Sequence, residues 1–222
     1  MSDLYVFALA EQKARSFTAA GHRIEFVEAS GVFAAVERSA VRPAVSEAAL
    51  RTQHEVVGCI AHRLDAVLPA RFGALVDLRE LEAIVSRRRH AILEALALVR
   101  GRGQMTVRLF DADVRGVSAA PPAGGSAATG TEYLRARGRA ATGRSLPEEA
   151  ASIAAAVRGI TAAERIEAGH GRVSATLYHL VDRTAVDAYA AALAPFRSGS
   201  GGRAVTISGP WAPFAFAPEL WP

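Results

Sequence analysis

Apolar and polar positions alternate in short runs at first, then settle into helical spacing. Leu4-Tyr5-Val6-Phe7-Ala8-Leu9 is an uninterrupted apolar run rich in β-formers, which predicts a buried strand. Glu11 to Gly21 is irregular and predicts a connection with room for a turn of helix. His22 to Ala29 and Val32 to Arg38 read as strands joined by Ser30-Gly31, a pair suited to a tight hairpin. After Arg42-Pro43, Ser46 is placed to cap a helix whose apolar face is Leu50, Val57, Ile60 and Leu64. Val67 to Phe72 is a short strand-like piece. Its Pro69 donates no ladder hydrogen bond and belongs at a sheet edge or strand start. Asp77 with Glu80 opens a long helix like a capping box. Its stripe is Leu78, Leu81, Val85, Ile92, Leu96 and Val99, and Gly101 ends it.

The second half repeats that order. Met105 to Phe110 alternates as a strand. Gly116 to Gly130 has no charged residue and few bulky ones, so it is expected to be a mobile loop. Glu132 to Ala141 reads as helical, and Ser145-Leu146-Pro147-Glu148 starts a further helix running to Arg158. Strands are expected at Ala162 to Ala168 and Arg172 to Val181. Thr184 then caps a helix carrying Val186, Tyr189, Leu193 and Phe196, and Ala204 to Ser208 is the last strand. Strand, connection, hairpin, helix, strand is the split β-α-β-β-α-β plan. The expected fold is therefore α+β, with two ferredoxin-like domains, residues 1–101 and 102–210. The first is modified by a reduced crossover and an added helix, the second by the loop at 116–130. Residues 211–222 form an aromatic and proline-rich tail.

Composition narrows the function classes. Half the chain is apolar and 22% is charged, so disorder throughout is excluded. The net charge of +4 comes from 26 basic residues, of which Lys13 is the one lysine, against 22 acidic ones. That excess is too small to argue for nucleic acid, and it leaves the sign of a partner's charge open. Cys59 is the single cysteine and forms no intramolecular disulfide or cysteine cluster. The first apolar run lacks a basic flank, and no apolar stretch approaches the ~20 residues of a membrane span. A cytoplasmic location follows as the expectation.

Candidate chemistry is sparse. His54 and His62 are eight apart rather than four, a poor zinc spacing. No nucleophile elbow or phosphate-cradling loop is present. His179 is expected to alternate out of a strand face. Arg87-Arg88-Arg89-His90 reads as a solvated face with an acidic-partner patch as the alternative. Arg71, among apolar neighbours, needs either an ion pair to Asp77 or Glu55 or a partner's carboxylate. The tail places Trp211, Phe214, Phe216, Leu220 and Trp221 among prolines at 210, 213, 218 and 222. Such a segment lies along its own domain or fits a partner's groove. Neither a cofactor nor a catalytic residue is expected.

Three stretches resemble the gas-vesicle GvpL/GvpF family. Val67-Leu68-Pro69-Ala70-Arg71-Phe72-Gly73 follows a helix that holds His54. Gly101 to Val107 precedes Thr131-Glu132-Tyr133-Leu134-Arg135-Ala136-Arg137. Ala175-Thr176-Leu177-Tyr178-His179-Leu180-Val181 precedes Gly209-Pro210-Trp211-Ala212-Pro213-Phe214. Ser174, near a family asparagine, and Ala212, where a proline is usual, depart from the pattern. The resemblance implies a cofactor-free, non-enzymatic accessory protein that binds the small hydrophobic shell subunit during vesicle assembly, and other accessory proteins of the vesicle. Arg71, Phe72, Trp211, Phe214 and Phe216 are the candidate partner-binding residues. The alternatives are a single-stranded RNA binder and a ligand-sensing ferredoxin-like protein. For the former, Val173 to Val181 offers only Tyr178 as a stacking aromatic.

Overall fold

The first apolar run becomes the strand on which one sheet is built. In the computed structural model, which describes residues 3–38, 41–111, 147–169, 171–197 and 204–221, strand β1 (Leu4–Ala10) is buried at every position. Its neighbours explain why. Antiparallel β4 (Val32–Arg38) covers one edge, and β5 (Val67–Pro69) and β6 (Leu75–Val76) share the other. Val6 faces Val36 and Ala8 faces Ala35, so Phe7 is an extra residue in the β1 ladder. Such a bulge shifts the side-chain alternation by one. Tyr5, Phe7, Ala8 and Ala10 therefore all join the same apolar cluster.

Helix α1 (Glu47–Arg63) covers that face with Val56, Val57 and Ile60, all fully buried. Ser46 caps it by accepting from the Ala49 N–H at 3.1 Å. Helix α2 (Leu78–Val99) packs against β5 and against β3 (His22–Ala29). Its Asp77–Glu80 capping box is complete. Leu81, Val85, Ile92, Leu96 and Val99 are buried as expected, whereas Leu78, ahead of the first buried turn, is exposed. The Ser30-Gly31 turn has positive φ at both residues, as tight hairpins require. α2 holds it: Arg89 donates to the Ser30 carbonyl at 3.0 Å, and the Ser30 hydroxyl donates to Glu82 at 2.6 Å.

Two expectations fail locally. Glu11 to Gly21 contains not a helical turn but a short strand, β2 (Phe17–Ala19), which pairs with β3 through a second tight turn at Ala20-Gly21. Three residues are too few for alternation to reveal a strand. The stretch from Val67 stops being a strand at Pro69, although the Ala70 N–H still donates to the Phe7 carbonyl at 2.8 Å. The first sheet runs β2-β3-β4-β1-β5, which puts Pro69 on an edge strand.

The remaining described elements are β7 (Arg102–Phe110), α3 (Glu148–Val157), β8 (Thr161–Ala168), β9 (Val173–Asp182), α4 (Val186–Ala192), α5 (Ala194–Arg197) and β10 (Val205–Trp211). Their sheet runs β10-β7-β9-β8. The architecture is mixed α+β with two antiparallel sheets. Thr184 does not cap α4: Ala185 holds that position, and Thr184 lies in a preceding 3-10 turn. Pro147 stands at the start of α3 without a side-chain cap. The expected loop at 116–130, the helix at Glu132 to Ala141 and Ser145 lie outside the described residues. Contacts divide the chain into two units. Met1–Gln104, Leu180–Arg183 and Gly209–Pro222 make the first; Met105–His179 and Thr184–Ser208 make the second.

Asp77→Ala removes the carboxylate that accepts from the Arg79 and Glu80 N–H groups and leaves only the half of the box in which Glu80 accepts from a backbone N–H. It is expected to lower stability by about 1 kcal/mol, read as a fall in the urea midpoint with an unchanged slope.

Candidate partner-binding surface

Arg71 and Phe72 sit on an excursion between β5 and β6. Both strands pair with β1, so the chain from Ala70 to Ala74 must leave the sheet and return to it. A buried polar pair holds the excursion in place. Tyr5 donates its hydroxyl proton to the Gln53 side-chain carbonyl, and Gln53 Nε2 donates to the Ala70 carbonyl at 3.1 Å. The Gly73 N–H donates to the Tyr5 hydroxyl at 3.1 Å. Burial, partly offset by that N–H, raises the Tyr5 pKa, so the phenol stays protonated and able to donate. Gly73 has φ +80, and the stem of Arg42 lies across the face where a side chain would project.

This pair also corrects the helix reading. Gln53 occupies a buried position on α1, whereas Leu50, expected in the core, is 46% exposed. A polar side chain is tolerated inside because it arrives with both partners supplied. Arg71 points to solvent and pairs with neither Asp77 nor Glu55, so the expected structural ion pair is not made. Asp77 is occupied in capping α2. Phe72 is half-buried and lines a cavity of about 200 Å³ with Tyr5, His22, Glu37 and Gln53. His22 Nδ1 lies 2.7 Å from Glu37 there.

The tail belongs to the first unit. Gly103 lets it approach: a Cβ there would come within 2.7 Å of Pro210 Cβ. Ala212 is buried in the β1–α1 apolar cluster. Gln104 accepts from the Ala215 N–H at 2.7 Å and fixes the 3-10 turn Phe214–Phe216. These anchors leave the aromatics on either side of Ala212 outside. Trp211 is 42% exposed and Phe214 36%, and Phe216 is half-buried. His54 of α1 meets both exposed rings, Trp211 edge-on at 5.2 Å and Phe214 stacked at 5.6 Å.

Beside them opens a cleft of about 360 Å³ lined by His54, Glu55, Gly58, Cys59, His62 and Pro210–Pro213, among others. Arg183, also in the lining, donates to the Ala61 and Leu64 carbonyls at 2.8 and 3.3 Å. Trp211 and Phe214 meet at His54, whereas Phe72 lines the other cavity and Arg71 lines neither. Sequence reasoning missed His54 and Leu50 as surface residues. The i, i+4 spacing of Leu50, His54 and Gly58 was the available signal.

In the second unit His179 does not alternate out of the sheet; it is fully buried. Tyr189 of α4 lies 2.6 Å from Nδ1 and Glu164 of β8 lies 3.0 Å from Nε2. With the tyrosine donating and the neutral ring donating to the carboxylate, both nitrogens are satisfied. Desolvation lowers the His179 pKa despite the opposing pull of Glu164. Burial, then the charge of Glu164, raises that of Tyr189. The network is structural in character. Ser174 is also buried and donates to the Leu109 carbonyl at 3.1 Å. Tyr178, the one aromatic available for base stacking on β9, is directed to Glu167 at 3.3 Å. Among the described residues no helix is long and apolar enough to cross a membrane.

The family model described as gas vesicle synthesis protein GvpL/GvpF matches residues 3–218. The crystal structure of gas vesicle protein GvpF from Microcystis aeruginosa is similar in fold, with a TM-score of 0.74 at 11% identity over 98% of this chain and 100% of that one. GvpF from Anabaena sp. PCC7120 gives a TM-score of 0.71 at 13% identity over 98% of this chain and 99% of that one. No curated protein sequence matches the chain.

The His179 network carries a pH dependence. The folded-state pKa lies below the ordinary 6.5, so the unfolded chain binds more protons between the two values. Stability from this group is complete above about 6.5 and is lost as the pH falls below it toward the folded-state value. Urea midpoints measured across that window should fall more steeply for the wild type than for His179→Leu.

Proposed function

Because the chain belongs to the gas vesicle synthesis protein GvpL/GvpF family, we propose that it is a non-enzymatic accessory protein of gas vesicle assembly that binds the small hydrophobic shell subunit. It works without a cofactor, in the cytoplasm and in association with the vesicle, alongside other accessory proteins. The observation that carries this reading is the pair Trp211 and Phe214, held outside the first unit against His54 at the mouth of an apolar cleft. A subunit destined for a gas-facing wall exposes apolar surface and aggregates if unescorted. Half-exposed aromatic rings beside a concave apolar wall suit such a client, because aromatic anchors dominate interface energetics.

Arg71 and Phe72 enter the same reading as a second contact. The exposed guanidinium suits a partner's carboxylate, and Phe72 opens onto its own cavity. The strand order β10-β7-β9-β8 supports a split β-α-β-β-α-β arrangement for the second sheet, in which the fourth and second strands form the edges.

Truncating the tail would also remove Ala212 from the core and leave Gln104 without its N–H partner, so point substitutions test the reading more cleanly. Trp211→Ala combined with Phe214→Ala is expected to weaken retention of purified shell subunit by at least tenfold, or about 1.4 kcal/mol, with circular dichroism unchanged. Undiminished retention by the folded double variant removes the tail from the binding site.

A further inference from the structure

Gly58 is out of place by every local criterion. It sits in the middle of α1, where glycine is less favourable than alanine by about 1 kcal/mol. Among the described residues a Cβ there would meet nothing within 4 Å, so none of them requires the side chain to be missing. Nor does the backbone, which is ordinary helix. Gly58 does line the cleft beside Trp211 and His54, and there the missing side chain bares the helix backbone. Leu50, His54 and Gly58 follow one another at one-turn intervals and make a single strip, exposed at Leu50.

The charges of the cleft are unequal in their commitments. Arg183 is held by the Ala61 and Leu64 carbonyls and lies 3.9 Å from Asp65, and Arg102 donates to the Leu98 carbonyl. Glu55 is exposed on the cleft wall and makes no ion pair among the described residues. What the cleft offers is a bare helix backbone, an aromatic wall and one uncommitted carboxylate. The complement is a helix with an apolar face, able to approach closely, that carries a cation.

We propose that the cleft receives an apolar helix of the shell subunit, lying along α1 with its closest approach at Gly58 and a lysine or arginine side chain against Glu55. The inference rests on the reading that the shell subunit is the client, and adds the face used and the chemistry of the segment bound. Small residues permit close backbone approach between helices, and charge complementarity then sets partner choice.

The test separates folding from binding. Gly58→Ala should raise Tm, because alanine is the better helix former, while weakening retention of the shell subunit several-fold. Gly58→Leu and Glu55→Lys should abolish retention. Subunit held as well by Gly58→Leu and Glu55→Lys as by the wild type overturns the inference and leaves the assembly role intact. If the wild type retains no subunit, the assembly reading falls, and a labelled amphipathic helical peptide of Leu, Ala and Lys decides the surface by itself. Saturable binding of that peptide, lost in Glu55→Lys and absent for the isomer with Glu in place of Lys, supports it. No binding, or equal binding of both isomers, overturns it.

Discussion

β1 is buried along its whole length, so both of its edges and both of its faces must be covered by the rest of the first unit. One edge is met by β4 from the hairpin. The other is met twice, by β5 and then by β6, and the chain between them is forced out of the sheet. The exposed Arg71 and half-buried Phe72 follow from that requirement, since a continuous strand would have kept both in the ladder. The bulge at Phe7 is a second consequence: it lets Tyr5 and Phe7 as well as Ala8 and Ala10 turn toward α1, closing the cluster that Ala212 later enters.

The buried pair Tyr5 and Gln53 links this packing to the surface. An unpaired amide in an apolar core costs roughly 1–3 kcal/mol. Gln53 avoids that cost by accepting a hydrogen bond from the Tyr5 hydroxyl and donating its amide N–H to the Ala70 carbonyl. Tyr5 in turn accepts from Gly73. The excursion is thereby clamped at its first residue and near its last, by groups on the strand and the helix that make the core.

Gln53 and His179 are buried for the same reason in different units. His179 is satisfied by Tyr189 and Glu164, as Gln53 is by Tyr5 and Ala70. Aromatic residues of the tail show the opposite balance. Ala212 and Pro213 take the buried positions, and Trp211 and Phe214 are left exposed with His54 against both rings.

Much of the local structure was legible because it depends on near neighbours in sequence. The Asp77–Glu80 box, the Ser46 cap, the Ser30-Gly31 turn and the α2 stripe from Leu81 to Val99 each require only residues within one element. The aromatic and proline content of the tail could likewise be read directly, and the ordered motifs from Val67 to Phe214 were enough to suggest the family. Tertiary structure decided what lies across an element. Leu50 and Gln53 both fall at helical spacing, and only the arrival of Tyr5 and Ala70 on one side of α1 makes the polar residue the buried one. His179 looks outward by alternation until α4 brings Tyr189 over it. Gly58 looks like an ordinary weak point in a helix until the tail, more than 150 residues further along the chain, builds a wall beside it. Partners this distant leave no periodicity, because the free energy that places them comes from burial and from satisfied hydrogen bonds rather than from local backbone preference.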